Sequence, residues 1–309
     1  MTYPEHVRPT DPATSAGTAP VQSPRRIAEG YILTTEEYVV DGEVTWPAHE
    51  HAESELLWCA SGSASLEADG RRWTIPPSLA VWVPAGVRNA AGAAAGSLVR
   101  ATFFDVAATR LVDVPDVVTG VAMTDAVRVL LMHNHLRDLD DAARRRLHRV
   151  VLDLLVPVPH ESFDLLLPRT GHLRWVAESI LADPGDRRTT EEWASRCGLH
   201  PRTLARQFHA ETGVTFTRWR ILARMQWAIR ELALGAPVLA VSRQVGYRSP
   251  SAFLAHFREL TGQTPTAYVG RPAPVVDEPG PGAHHVRGPE AHDVQKQKEV
   301  VPRATRVPS

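Results

Sequence analysis

Two regimes of hydrophobic spacing divide the chain. From about Ile27 to Phe104, short apolar runs end at turn residues: YILTTEEYVV before Asp41-Gly42, ELLWCAS before Gly62, SASLEA before Asp69-Gly70, RRWTI before Pro76-Pro77, LAVWVP before Gly86, then SLVRATFF. Runs about ten residues apart with Gly and Pro punctuation predict a small antiparallel barrel or sandwich. After Pro115 the spacing turns helical. Thr124–Leu139 and Asp141–Val156 predict two helices, and in the second Leu147, Val150, Val151, Leu154 and Leu155 form one stripe. Such a pair can cap the barrel's core or form a dimer contact, and the pattern leaves both open. PVPHESFDLLLPRTG reads as a linker, and His172 to Tyr268 is helical throughout. The expected fold class is α+β, a β-barrel followed by helices and then an all-α C-terminal domain. The expected divisions are a disordered tail at 1–24, a β-rich domain with its two helices at 25–160, a linker at 161–171, the helical domain at 172–270, and a disordered tail at 271–309.

The helical segment contains an internal repeat. Its first copy, WASRCGLHPRTLARQFHAETGVTFTRW, runs from Trp193 to Trp219. Its second, VSRQVGYRSPSAFLAHFRELTGQTPTAY, runs from Val241 to Tyr268. Ala194 and Ser242 each stand four residues before a glycine, Gly198 and Gly246. Leu204, Phe208 and Gly213 recur as Phe253, Phe257 and Gly262 at a constant offset of 49. A helix-turn-helix accounts for each shared position. A small residue lets the second helix cross the first closely, glycine supplies positive φ in the turn, and apolar residues at i and i+4 dock the second helix. Thr189 and Glu192 form a capping box that opens the first unit. Thr215–Leu234, stopped by Gly235-Ala236-Pro237, predicts one helix joining the two units.

The segment from about Leu173 to Tyr268 resembles the DNA-binding domain of the AraC/XylS family of bacterial regulators, most closely through SPSAFLAHFRELTGQTPTAY. That resemblance implies two helix-turn-helix units reading adjacent major grooves of a promoter. On the first reading helix the inward positions Leu204 and Phe208 leave Arg202, Thr203, Arg206 and His209 for DNA, and arginine is the commonest bidentate partner of guanine. Contact with phosphates alone is the competing reading. The second helix offers Pro250, Ser251, Leu254 and Ala255, with His256 and Arg258 nearby. These provide few hydrogen bonds to base edges, so its specificity is expected to be weaker.

In the N-terminal half, HEHAESE places His49, His51 and Glu55 as His-x-His-x3-Glu, and VPAGVRN ends in Asn89 where a final histidine would complete a metal set. Period-2 alternation predicts that His49 and His51 face the same side of one strand, with Glu55 extending that face. This resembles the cupin barrel that many members of the same family use as a sensor. With Asn89 a poor metal ligand, the expected role of His49, His51, Glu55 and Asn89 is to bind a small effector, with no metal and no cofactor. Trp46, Trp58, Trp73 and Trp82 could line the cavity, although aromatics in a small barrel more often serve packing, and Arg88 and Arg100 could meet an anionic effector.

Charge sharpens the division. Between Gly171 and Gly270 thirteen arginines and no lysine face eight acids, a net +5 that leaves −6 for the rest of the chain. A basic module joined to an acidic one fits a protein of which one part meets phosphate. Two distant cysteines, no apolar run of spanning length and no signal peptide point to the cytoplasm. Expected partners are promoter DNA, a small-molecule effector, a second copy of the chain and RNA polymerase, with no membrane. A non-enzymatic regulator is favoured over a metal-dependent cupin enzyme fused to a DNA-binding module, because the fourth ligand is missing. A nucleoid-type binder would need no sensor barrel.

Overall fold

The computed structural model describes residues 33–109, 115–137, 139–158, 164–269 and 283–287. The six apolar runs become strands β1 (Leu33–Val40), β3 (Ser54–Ser61), β4 (Ala64–Ala68), β5 (Arg71–Ile75), β6 (Leu79–Val83) and β8 (Ser97–Phe104), and two strands that no run announced, β2 (Val44–His49) and β7 (Asn89–Ala93), join them. A short helix, α1 (Val106–Thr109), precedes β9 (Thr119–Ala122). With two three-residue strands from further along the chain, β10 (Asp164–Leu166) and β11 (His284–Val286), two sheets result, ordered β11-β1-β8-β3-β6-β9 and β10-β5-β4-β7-β2. Alternation along each strand sends one set of side chains into a shared core, with Leu57, Val81 and Val99 from the first sheet meeting Leu66, Trp73 and Ala93 from the second.

The other face of the six-stranded sheet is covered by α2 (Asp125–Leu136) and α3 (Asp141–Asp153), capped by Thr124 and Asp140. Val127, Leu131, Met132, Val151 and Leu152 pack there on Leu56, Trp58, Trp82 and Phe104. Helix packing on the sheet therefore consumes much of the stripe. Val150, at 46% exposure, and Val129 and Leu136 remain outside it. Trp58 and Trp82 lie on this helical side, so they do not line the sandwich interior. Arg100 does not line it either. It is fully buried under the helices, donating through Nε to Glu37 at 2.6 Å, and His135 of α2 donates to the other Glu37 oxygen at 3.0 Å.

The C-terminal half is all helical: α4 (Gly171–Ala182), α5 (Thr190–Arg196), α6 (Pro201–Thr212), α7 (Phe216–Ala233), α8 (Val238–Gln244), α9 (Pro250–Thr261) and α10 (Pro265–Tyr268). α5–α6 and α8–α9 are the two expected helix-turn-helix units, and α7 joins them. Gly198 and Gly246 adopt φ of +66° and +83°, the left-handed geometry each turn requires. Leu204 and Phe208 pack with Trp193 and Trp219 in one core, while Phe253 and Phe257 pack with Val241 and Tyr268 in another.

Two expectations are corrected. The segment read as a free linker contains β10 (Asp164–Leu166), which pairs antiparallel with β5. Leu165 within it and Leu167 just after it enter the core of the helical domain, and Leu166 O accepts from Trp219 Nε1 at 2.9 Å. The strand is thus satisfied on both sides, which a solvated linker would not be. Within the tail read as disordered, β11 (His284–Val286) pairs parallel with β1. The expected tail at 1–24 and the rest of 271–309 lie outside the described residues.

Candidate nucleic-acid interface and sensor cluster

The reading helices present the faces that docking predicts. On α6, Leu204, Phe208 and Thr212 are buried, Arg202, Arg206 and His209 are exposed, and Thr203 is half-buried. His200 caps the helix by accepting from Arg202 N–H, and Pro201 occupies the first turn, where its missing N–H costs nothing. Arg202 and Arg206 stand one turn apart on the exposed face.

On α9, Pro250, Ser251, Ala255 and Arg258 are exposed and Leu254 is 39% exposed. His256, expected only near the reading face, is tied to the turn. It is half-buried and hydrogen-bonded through Nδ1 to Tyr247 OH at 2.9 Å. Exposed Arg196, Arg243 and Arg248 stand at the ends of the first helices and in the second turn. Sequence reasoning passed over them because it followed only the outward positions of the second helix in each unit.

The arginines of α7 serve the frame instead. Arg220 donates to the carbonyls of Asp186 and Arg188, both at 2.7 Å, and Arg224 to those of Pro184 and Asp186, both at 3.0 Å. They hold the loop between α4 and α5 against α8. A side chain on Gly185 would put its Cβ 2.4 Å from Gln244 O. That loop therefore fixes one helix-turn-helix unit against the other.

In the sandwich, His49, His51 and Glu55 do converge, though not along one strand. His49 ends β2, His51 follows in the turn, and Glu55 lies on β3. Between Trp46 and His49 the pairing with β7 slips by one residue, a bulge at Pro47-Ala48 where proline offers no ladder N–H. Pro47 O accepts from His49 Nδ1 at 2.6 Å, so that nitrogen holds the proton and His49 Nε2 accepts from His51 Nε2 at 3.1 Å. His51 Nε2 lies 3.6 Å from Glu55 and its ring packs edge-on against Phe103. Burial lowers the pKa of His51, with the neighbouring His49 adding to the effect and Glu36 opposing it. Burial likewise pushes the Glu55 carboxyl up to about 7, assisted by the charge of Glu36.

Asn89 stands directly across from His49. It is 2% exposed, its Nδ2 donates to Val87 O at 3.3 Å, and its Oδ1 is buried without a hydrogen-bond partner among the described residues. Glu36 and Tyr38 join the cluster from β1, with Tyr38 OH donating to Glu36 at 2.6 Å and its ring edge-on to Trp46. Period-2 alternation within YILTTEEYVV was the signal that could have found both. Of the proposed cavity-lining tryptophans, Trp46 and Trp73 lie on this inner side. Arg88 is exposed. Among the described residues no three His, Cys, Asp or Glu side chains form a metal-holding group.

The two halves meet across the outer face of the five-stranded sheet. Gln226 Nε2 donates to Arg72 O at 3.1 Å, Arg230 pairs with Glu43 at 3.1 Å, and Arg174 reaches Glu67 at 3.4 Å. Between them is a cavity of about 300 Å³ bounded by Thr45, Ser65, Thr74, Gly92 and Trp227. Among the described residues no helix is long and apolar enough to cross a membrane.

Residues 193–271 match a family described as a helix-turn-helix domain. An Escherichia coli K12 protein named HTH-type transcriptional regulator NimR is 28% identical over 232 residues, covering 74% of this chain and 84% of the relative. A putative AraC-like transcription regulator of Streptomyces antibioticus is 33% identical over 118 residues, covering 34% of this chain and 38% of the relative. Among solved structures, the DNA-binding domain of AdpA in complex with a target DNA aligns at 32% identity, with a TM-score of 0.31, over 32% of this chain and 91% of that one.

Proposed function

The chain belongs to the AraC/XylS family of DNA-binding transcription regulators, and from that premise we propose that a small polar effector, held in a cupin-like N-terminal sandwich, controls how its two reading helices engage promoter DNA. In this reading Arg202, Thr203, Arg206 and His209 read one major groove. Pro250, Ser251, Leu254, Ala255, His256 and Arg258 occupy the next, with the second contact dominated by phosphate and thymine methyl groups.

The observation that carries the sensor assignment is the buried Asn89 Oδ1, without a hydrogen-bond partner among the described residues, facing His49 beside His51 and Glu55. A buried acceptor left unsatisfied costs about 1–3 kcal/mol, and a ligand that donates a hydrogen bond recovers it. Effector binding then shifts the DNA-binding half only through differential affinity for two arrangements of the protein. The regulator in this account performs no catalysis, needs no cofactor and works in the cytoplasm. Val129, Leu136 and Val150, exposed on α2 and α3, form its homodimer contact, and RNA polymerase is its partner at the promoter.

Thermal-shift screening of the full chain against small polar metabolites tests the sensor. A true effector stabilises the wild type in proportion to its concentration above Kd, and that stabilisation disappears in His51→Ala while basal DNA affinity stays nearly unchanged. Equal stabilisation of wild type and variant by every active compound would remove these residues from the site, as would stoichiometric tightly bound metal.

A further inference from the structure

The C-terminal segment returns to the sensor. β11 lies parallel to the edge of β1, pairing His284 with Tyr38, His285 with Val39 and Val286 with Val40. Asp41 N–H donates to Val286 O at 2.9 Å, and the Asp41 carboxylate stands 3.9 Å from both His285 and Arg287. The His284 ring stacks on Tyr38 with centroids 5.5 Å apart, and Val286 packs against the sandwich core.

We infer that residues 283–287 are a releasable strap: they add a strand to β1, tie the end of the DNA-binding half to the sensor, and thereby link the sensor's state to the freedom of the reading helices. Without β11, β1 is the edge of its sheet, and an edge offers a row of main-chain donors and acceptors to an added strand. The docking site is specific, because the residue under His284 belongs to the polar cluster. Tyr38 donates to Glu36, whose charge acts on His51 and Glu55, and packs on Trp46 on the strand that ends at His49, so the strap shares Tyr38 with the edge of the sensor cluster. Three paired residues make a weak strand, which suits a device that must open.

The strap also completes a pattern. β10, just before α4, anchors the start of the helical domain on the five-stranded sheet, and β11 anchors the segment after α10 on the other. Releasing β11 frees the far end of the DNA-binding half, which stays held through β10 and the contacts of Arg174, Gln226 and Arg230 with the five-stranded sheet. The link to effector rests on the sensor reading above, whereas the docking itself does not.

Hydrogen exchange on the full chain, without any ligand, reads the docking directly. Three altered proteins are compared with wild type: Val286→Pro, which removes a ladder N–H; a chain ending at Gly270; and His284→Ala, which removes the stack. The Asp41 amide is expected to exchange at least tenfold faster in the first two and severalfold faster in the third, with β3 and β6 unchanged as controls for folding. Unaltered Asp41 exchange in the first two would overturn the strap, and protection that grows with protein concentration would assign it to another copy's tail and overturn it equally. For the regulatory half, affinity for a duplex selected from a random pool should change at least threefold in Val286→Pro, and an unchanged affinity would refute that half. Because no ligand enters these measurements, failure of the His51→Ala test would leave the strap standing, and failure here would leave the sensor reading standing.

Discussion

Replacing Gly185 by alanine strikes the joint between the two helix-turn-helix units without touching either reading helix. The new Cβ would stand 2.4 Å from Gln244 O, the carbonyl at the end of α8. Ordinary contact begins at about 3.4 Å, so α8 must retreat by roughly 1 Å, and α9 moves with it. The loop cannot yield in its place, since Arg220 and Arg224 hold its carbonyls from α7 through four hydrogen bonds. Overpacking of this kind costs about 1–3 kcal/mol of stability. The functional cost comes from geometry. Base-edge contacts tolerate about 0.5 Å of misplacement, so a shift of about 1 Å sacrifices one good contact, worth about 1–3 kcal/mol or roughly 5- to 150-fold in affinity. Titration against a duplex carrying both recognition blocks should show that loss, while a duplex with only the α6 block should bind almost as before. Equal affinity of Gly185→Ala and wild type for both duplexes, with unchanged melting, would refute the idea that this approach sets the spacing of the units.

Glu37→Ala removes the anion from a fully buried guanidinium, so chemical denaturation should show a loss of about 3–5 kcal/mol, and a loss under about 1 kcal/mol would show that Arg100 is satisfied without it. Glu55 makes stability depend on pH in the unusual direction. Its folded pKa of about 7 lies above the ordinary carboxyl value, so its favourable contribution is present at acid pH and fades as pH rises from about 4.5 through 7. His148 works oppositely: burial and Arg144 lower its pKa to about 4, so stability falls as pH drops from 6.5 through that value. Glu55→Gln should therefore gain stability relative to wild type at pH 8, by about 2–3 kcal/mol, with little gain at pH 4. A gain of equal size at both pH values would rule out the raised pKa as its cause.

The helical half was legible because its signals are local. Leu204/Phe208, Phe253/Phe257, the capping box and the turn glycines each specify their own surroundings, and two copies reinforced each other. The strands β2 and β7 were harder. NAAGA lacks the β-branched and aromatic residues that mark a strand, since close approach selects small residues: a Cβ on Gly92 would stand 3.2 Å from both Val44 O and Ser65 Oγ. His49, His51 and Glu55 were found by motif, but their convergence arises from a bulge and a turn rather than from alternation along one strand. β10 and β11 carry no legible signal. Both are three-residue strands whose pairing depends on a distant sheet edge. The fate of Arg100 was equally hidden, because only the assembled sheet shows which face it joins.

The central claim, that two linked units read one promoter and that Arg206 supplies specificity in the first, is tested most directly by selecting bound sequences from a random duplex pool with wild type and Arg206→Ala. The account predicts two preferred blocks about one helical turn apart, with the variant losing preference at one position of one block and about 1–3 kcal/mol of specific affinity. A single block from the wild type, or a uniform weakening across all sequences in the variant, would contradict it.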